Sequence, residues 1–158
     1  MKQICSVVMI GLLYAFLPGC SEKPGPISVD NDISPAVVNS FGYINWKVSV
    51  TNAGGKVEIE RIHCKEECIS GWMEGQSAEL DVPISNSEVA AHRTEVVHAQ
   101  TSPVINTGPD DIQMKNTVTV YSNGGTDSDD AYYTIKCYKG SKSTPSAART
   151  LVFSNVDK

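Results

Sequence analysis

The strongest constraint on this chain is a two-residue alternation of apolar and polar side chains that recurs along it and is broken at intervals by turn residues. Trp46, Val48 and Val50 alternate with Lys47, Ser49 and Thr51. A strand sends successive side chains to opposite faces, so such a run has one face for a core and one for water. Asn52-Ala53-Gly54-Gly55 follows as a turn cluster, where glycine supplies the positive φ of a tight reversal. Residues 56–62 return with Val57 and Ile59 on one face, and the two runs together predict a hairpin. Ala78, Leu80, Val82 and Ile84 alternate with Glu79, Asp81, Pro83 and Ser85. Pro83 has no N–H for a ladder, which puts this strand at an edge or ends it there. Residues 94–99 form a further strand, and residues 117–121 form one rich in β-branched side chains. Asn123-Gly124-Gly125 turns the chain, residues 131–138 return with Tyr133, Ile135 and Cys137 on one face, and residues 149–154 close the pattern. About seven strands with turn signals between them predict an all-β domain, a β-sandwich with a small β-barrel as the alternative.

The 158 residues suffice for one domain, and a hydrophobic fraction of 41% supports a real core. The net charge is −5, and loss of a leader containing Lys2 makes the remainder more acidic still. An acidic domain has no electrostatic footprint for nucleic acid. It is also repelled by anionic lipid, so membrane attachment has to come from elsewhere.

The N-terminus supplies it. Met1 and Lys2 make a basic start, and residues 4–17 are uncharged and largely apolar. That stretch falls short of the roughly 20 residues of a spanning helix and has the layout of a secretory signal. It ends in Leu17-Pro18-Gly19-Cys20, followed by the polar run Ser21-Glu22-Lys23-Pro24-Gly25-Pro26. These four residues resemble the lipobox of bacterial lipoprotein precursors, with Pro18 where Ala or Ser is more usual. The resemblance implies a diacylglyceryl group on the Cys20 thiol, cleavage just before it, and acylation of the new amine. Ser21 resembles the residue of proteins sorted onward to the outer membrane. The expected organisation is a signal peptide over 1–19, a lipidated tether over 20–26, and a β-sandwich domain over 27–158. Each buried methylene contributes about 0.8 kcal/mol, so two or three chains hold the domain firmly where one does not.

The stretch from Trp46 to Gly55 resembles a hairpin common in immunoglobulin-like domains of bacterial surface proteins. Asp130-Ala131-Tyr132-Tyr133 ahead of Cys137 resembles the approach to the second cysteine strand of such domains, although neither tyrosine stands two residues before Cys137. The resemblance implies an immunoglobulin-like sandwich.

With Cys20 lipidated, Cys64, Cys68 and Cys137 remain in an oxidising compartment, enough for one disulfide. Cys64 and Cys68 come within bonding reach on a helical turn and are much too far apart on a strand. The alternative joins Cys137 to one of them. His63, Cys64 and Cys68 lack the fourth group that a zinc site wants. His92 and His98 would share a face of a strand, compatible with a metal or an acid–base pair. No nucleophile elbow, zinc-protease helix or phosphate loop stands in the sequence. Asp127, Asp129 and Asp130, in an expected loop over 123–130, carry oxygen ligands of the kind calcium takes. Trp72 and Met73, in an expected loop over 64–72, are candidate partner contacts.

The sequence therefore points to a lipid-anchored, non-enzymatic binding module of the cell envelope, with no cofactor, an envelope protein or other component as partner, and the outer membrane as its site. An accessory subunit of an envelope or secretion assembly and a cell-wall or ester hydrolase are the rival readings. Intact-mass analysis of the native product will find a chain that begins at Cys20 and carries acyl mass, whereas Cys20→Ala will retain its leader.

Overall fold

The computed structural model describes residues 22–139. Cys20 and the expected strand over 149–154 lie outside the described residues. Among them the chain forms nine strands and no helix: β1 (Ile27–Ser34), β2 (Val37–Asn39), β3 (Tyr43–Asn52), β4 (Val57–Ser70), β5 (Ser77–Asp81), β6 (Glu88–Val89), β7 (Thr94–Pro103), β8 (Ile112–Ser122) and β9 (Gly125–Lys136). One sheet has the order β1-β3-β7 and the other β2-β9-β8-β4-β5, with β6 paired to the start of β4. The β1-β3-β7 sheet faces β9, β8 and β4, with β5 added beside β4. The two sheets make a β-sandwich, and the short β2 leaves the side of β1 to run parallel to β9. The sheets are open, so the barrel alternative does not apply.

Alternation explains most of the core. Val48 and Val50 on β3, Ile62 and Cys64 on β4, Ile112, Met114, Val118 and Val120 on β8, and Tyr133 and Ile135 on β9 all face the space between the sheets. Each fully buried Val or Ile contributes roughly 1.5–3 kcal/mol. β7 departs from strict alternation through a bulge: Val48 pairs with His98 but Ser49 with Val96, leaving Val97 as the extra residue. The bulge turns both Val97 and His98 inward.

Several sequence expectations are corrected. The runs on either side of residues 52–55 are not a hairpin, because β3 pairs with β1 and β7 while β4 belongs to the other sheet. Gly54 and Gly55 serve close approach and not positive φ. The Lys23 carbonyl accepts from Gly55 N at 2.9 Å, the Pro26 carbonyl accepts from Ala53 N at 3.2 Å, and Pro24 bridges to Gly55. A Cβ on Gly25, Gly54 or Gly55 would overlap the facing backbone. Residues 22–26, expected as part of a free tether, are thus docked into the domain. The strand ahead of Cys137 is β9, the last of the described strands, and not the expected second-cysteine strand. Cys64 and Cys68 lie on one strand, four residues apart and both buried, so they are roughly 13 Å from each other. That separation excludes the disulfide between them, and Cys64, Cys68 and Cys137 are all free thiols.

β1 needs a second partner beyond β3, since its outer edge faces the other sheet. Asp127 Oδ2 accepts from Val29 N at 2.8 Å and Asp129 Oδ2 accepts from Asn31 N at 2.9 Å. Two carboxylates on β9 thereby satisfy two donors that an edge strand otherwise leaves open. Asp129→Ala will strand the Asn31 N–H and cost about 1–3 kcal/mol in urea unfolding. Asp129→Asn, which keeps an acceptor oxygen, will cost less.

Candidate functional site

The strands run between two poles. The pole reached by the end of β3, the start of β4 and the β8–β9 turn holds the docked residues 22–26. The opposite pole gathers the segments 40–42, 71–75, 103–111 and 137–139, and its organiser is Asn106, only 1% exposed. Asn106 Nδ2 donates to the carbonyls of Asp110 at 2.9 Å and Ile135 at 3.1 Å. Its Oδ1 accepts from Trp72 Nε1 at 2.9 Å and from Gly108 N at 3.0 Å. Its own N–H donates to Ser40 Oγ at 2.9 Å, and its carbonyl accepts from Ser40 Oγ at 2.8 Å and Tyr138 N at 3.3 Å. One side chain therefore fastens the β7–β8 loop to itself, to the β4–β5 turn and to β9. Its backbone holds the β2–β3 turn.

This fastened end displays apolar surface. Phe41 and Tyr138 meet edge to face with ring centroids 5.3 Å apart, yet they remain 55% and 58% exposed. Ile105 and Tyr43 are exposed as well. Phe41 has φ +64°, a conformation that costs a non-glycine residue of order 1 kcal/mol or more and persists only where the surroundings impose it. Here they do: Phe41 N donates to the Val104 carbonyl at 2.9 Å and Gly42 N to the Asn39 carbonyl at 2.9 Å. An open groove of about 540 Å³ adjoins the aromatic pair, lined by Asn39, Ser40, Asp111, Lys136, Cys137, Tyr138 and Lys139. The Lys136 ammonium, 2.7 Å from Asp111, and the Cys137 N–H hold the Asp111 carboxyl below its ordinary range. The arrangement suits recognition: rigid aromatics beside a groove with fixed charges.

A second polar assembly lies inside the sandwich. Trp46 Nε1 donates to Asn31 Oδ1 at 2.8 Å, and Asn31 Nδ2 donates to Asn116 Oδ1 at 2.9 Å. Asn116 Nδ2 contacts Cys64 Sγ at 3.2 Å and Glu66 Oε1 at 3.5 Å, and Tyr133 Oη donates to Glu66 Oε1 at 2.6 Å. Burial pushes Glu66 above the ordinary carboxylate range, against the pull of Tyr133 and Asn116. Burial also pushes the Cys64 thiol up to about 12, so Cys64 is an inert protonated side chain at neutral pH. Each partner left unpaired here would cost about 1–3 kcal/mol, comparable to what one buried valine contributes. The row is tolerable because its members satisfy one another.

The sequence-based candidates fare unevenly. Met73 is 6% exposed and belongs to the core, so it is no contact residue. Trp72 is half-buried, with its indole N–H bound to Asn106 and its ring against Gly108; it supports the aromatic end from below. The expected loop over 64–72 is mostly strand β4. Asp127, Asp129 and Asp130 do not converge on a calcium site, because they lie on strand β9 and not in a loop. The first two cap β1, while Asp130 turns the other way to Thr117 at 2.6 Å and Lys115 at 2.9 Å. Among the described residues, no group of three His, Cys, Asp or Glu side chains is placed to hold a metal. His92 and His98 do not share a face. His92 is exposed beside Glu22, whereas His98 is buried against Trp46 with Nδ1 donating to the Pro83 carbonyl at 2.8 Å. Phe41, Tyr138 and Asn106 went unread in the sequence. The signal available was an aromatic inside the turn run Asn39-Ser40-Phe41-Gly42, a place where polar residues are usual.

No protein-family model and no curated protein matches the sequence. The fold is similar to solved structures. The sporulation control protein Spo0M from Bacillus subtilis aligns with a TM-score of 0.50 at 12% identity, over 72% of this chain and 51% of that one. The Pseudomonas fluorescens alkylpurine DNA glycosylase AlkC, bound to DNA containing an abasic site analog, aligns with a TM-score of 0.50 at 12% identity, over 72% of this chain and 31% of that one. This chain thus spans about half the length of the first and less of the second. At such identities the likeness concerns the fold alone.

The raised Glu66 implies a pH signature. Its protonated form is favoured by the fold, so its contribution is full below the ordinary glutamate range, near pH 4, and is lost as pH rises through the folded value. Glu66→Gln removes that titration. Thermal melts of both proteins will show the variant gaining on the wild type as pH goes from about 4 to about 7.

Proposed function

We propose that the chain is an exported bacterial lipoprotein, held in the cell envelope by acyl chains on Cys20, and that its sandwich is a non-enzymatic binding module for another envelope component. The leader and Leu17-Pro18-Gly19-Cys20 support the anchor and an outer-membrane address. The observation that carries the binding reading is the Phe41–Tyr138 pair, more than half exposed on an end that Asn106 holds rigid. Leaving large aromatic rings in water forgoes the stabilisation that burial would give, and a left-handed phenylalanine adds strain. A surface kept this way at a loss to stability is suited to burial against a partner, and its rigidity lowers the entropy cost of that step.

Envelope components cross-linked to the intact lipidated chain and recovered in mild detergent provide the test. Phe41→Asn tolerates the left-handed backbone, so with Tyr138→Ser it removes both rings and spares the turn. The double variant will lose capture of the specific component by at least about tenfold without a drop in melting temperature. Tyr132→Ser, which removes an exposed aromatic from β9, will leave capture intact. Equal capture by the double variant would refute the assignment of the binding surface.

A further inference from the structure

We infer that the domain is mounted directly on the bilayer by the pole that holds residues 22–26, with the Phe41–Tyr138 end facing away from the membrane. The inference rests on lipidation of Cys20, and its geometry comes from where the chain enters the fold. Glu22 and Lys23 already belong to the domain: the Lys23 carbonyl accepts from Gly55 N at 2.9 Å, and Glu22 Oε2 lies 3.3 Å from His92 Nε2. Gly25 is buried between Gly54 and Gly124, at contacts that leave no room for a side chain on any of the three. Only Ser21 separates Cys20 from Glu22, and two residue steps reach at most about 7 Å. The acylated residue therefore sits within one short span of this pole, and the pole cannot swing far from the surface.

The rest of the pole fits a bilayer surface. Three of its exposed residues are alanines, Ala53, Ala90 and Ala91; Lys23 and Arg93 add cations, while Lys56 is paired with Glu88 at 2.9 Å and Glu58 at 3.9 Å, and Glu22 lies beside His92. The alanines leave low surface between the charged groups, and Lys23 and Arg93 are placed to meet headgroups that are anionic in part. β3 runs from the opposite end to this one, pairing Tyr43 with Pro103 and Thr51 with Thr94. Ten strand residues span roughly 30 Å, so the aromatic end stands about that far from the membrane. A partner reached by Phe41 and Tyr138 then comes from the aqueous side.

The test uses the lipidated chain in vesicles of phosphatidylethanolamine and phosphatidylglycerol that carry an acceptor dye on a headgroup. In a Cys137→Ser background the remaining thiols, Cys64 and Cys68, are buried, so a donor dye goes to Ala91→Cys or to Ile105→Cys, one at each pole. Transfer will be several-fold stronger from position 91 than from position 105. Ten Gly/Ser residues inserted between Ser21 and Glu22 give a leash of roughly 17–19 Å root-mean-square length, and the ratio will fall toward one. A ratio of one at native leash length, in a chain whose mass shows acyl groups on Cys20, overturns the mounting alone. A chain without acyl mass overturns the anchor, and the mounting with it.

Discussion

The sandwich depends on how its first strand is shared. β1 has a strand partner on one side, β3, and on the other side two carboxylates of β9, Asp127 and Asp129, which take the N–H groups of Val29 and Asn31. Backbone donors at a sheet seam are costly when unmet, and a charged acceptor meets them more strongly than a neutral one. This seam draws the three-stranded sheet onto the six-stranded one. It also fixes the height of β1, which places Asn31 against Asn116 and within reach of Trp46. From there the interior row continues to Glu66 and Tyr133. One backbone arrangement thus sets the register for a polar interior that apolar packing alone would not define.

The strand pattern was largely legible because a half-buried strand writes period two into its sequence. β3, the core of β8 and the stop of β5 before Pro83 all follow from that rule. What failed was pairing. Alternation tells which residues share a face but not which neighbour a strand takes, and Asn52 to Gly55 reads alike whether it folds a hairpin or carries the chain from one sheet to the other. β1 escaped notice because its inward positions, Val29, Asn31 and Ile33, include an asparagine whose partners lie on distant strands. The cysteine pair was misplaced for a related reason. Lys65-Glu66-Glu67 looks solvated, yet Glu66 points inward and is bonded there by Tyr133, 67 residues away.

The aromatic end was illegible on the same grounds. Asn106 is an unremarkable loop residue until the chain folds, when its amide becomes the meeting point of segments that are remote in sequence. Phe41 in a turn and Tyr138 just after β9 carry no periodic signal, and their contact exists only through topology. Satisfied and unsatisfied surface are divided by location. The interior row and the β1 seam satisfy themselves, while the end opposite the entering chain leaves its rings unmet.

The seam has a consequence for the order in which the molecule comes into being. Its two bonds join residues 98 positions apart, so β1 stays uncapped until β9 has been delivered. Contacts of such span slow folding and postpone closure of the sheets. Until β9 is in place the N–H groups of Val29 and Asn31 lack their carboxylate acceptors, so the joining of the two sheets comes late even where β1, β3 and β7 have already paired.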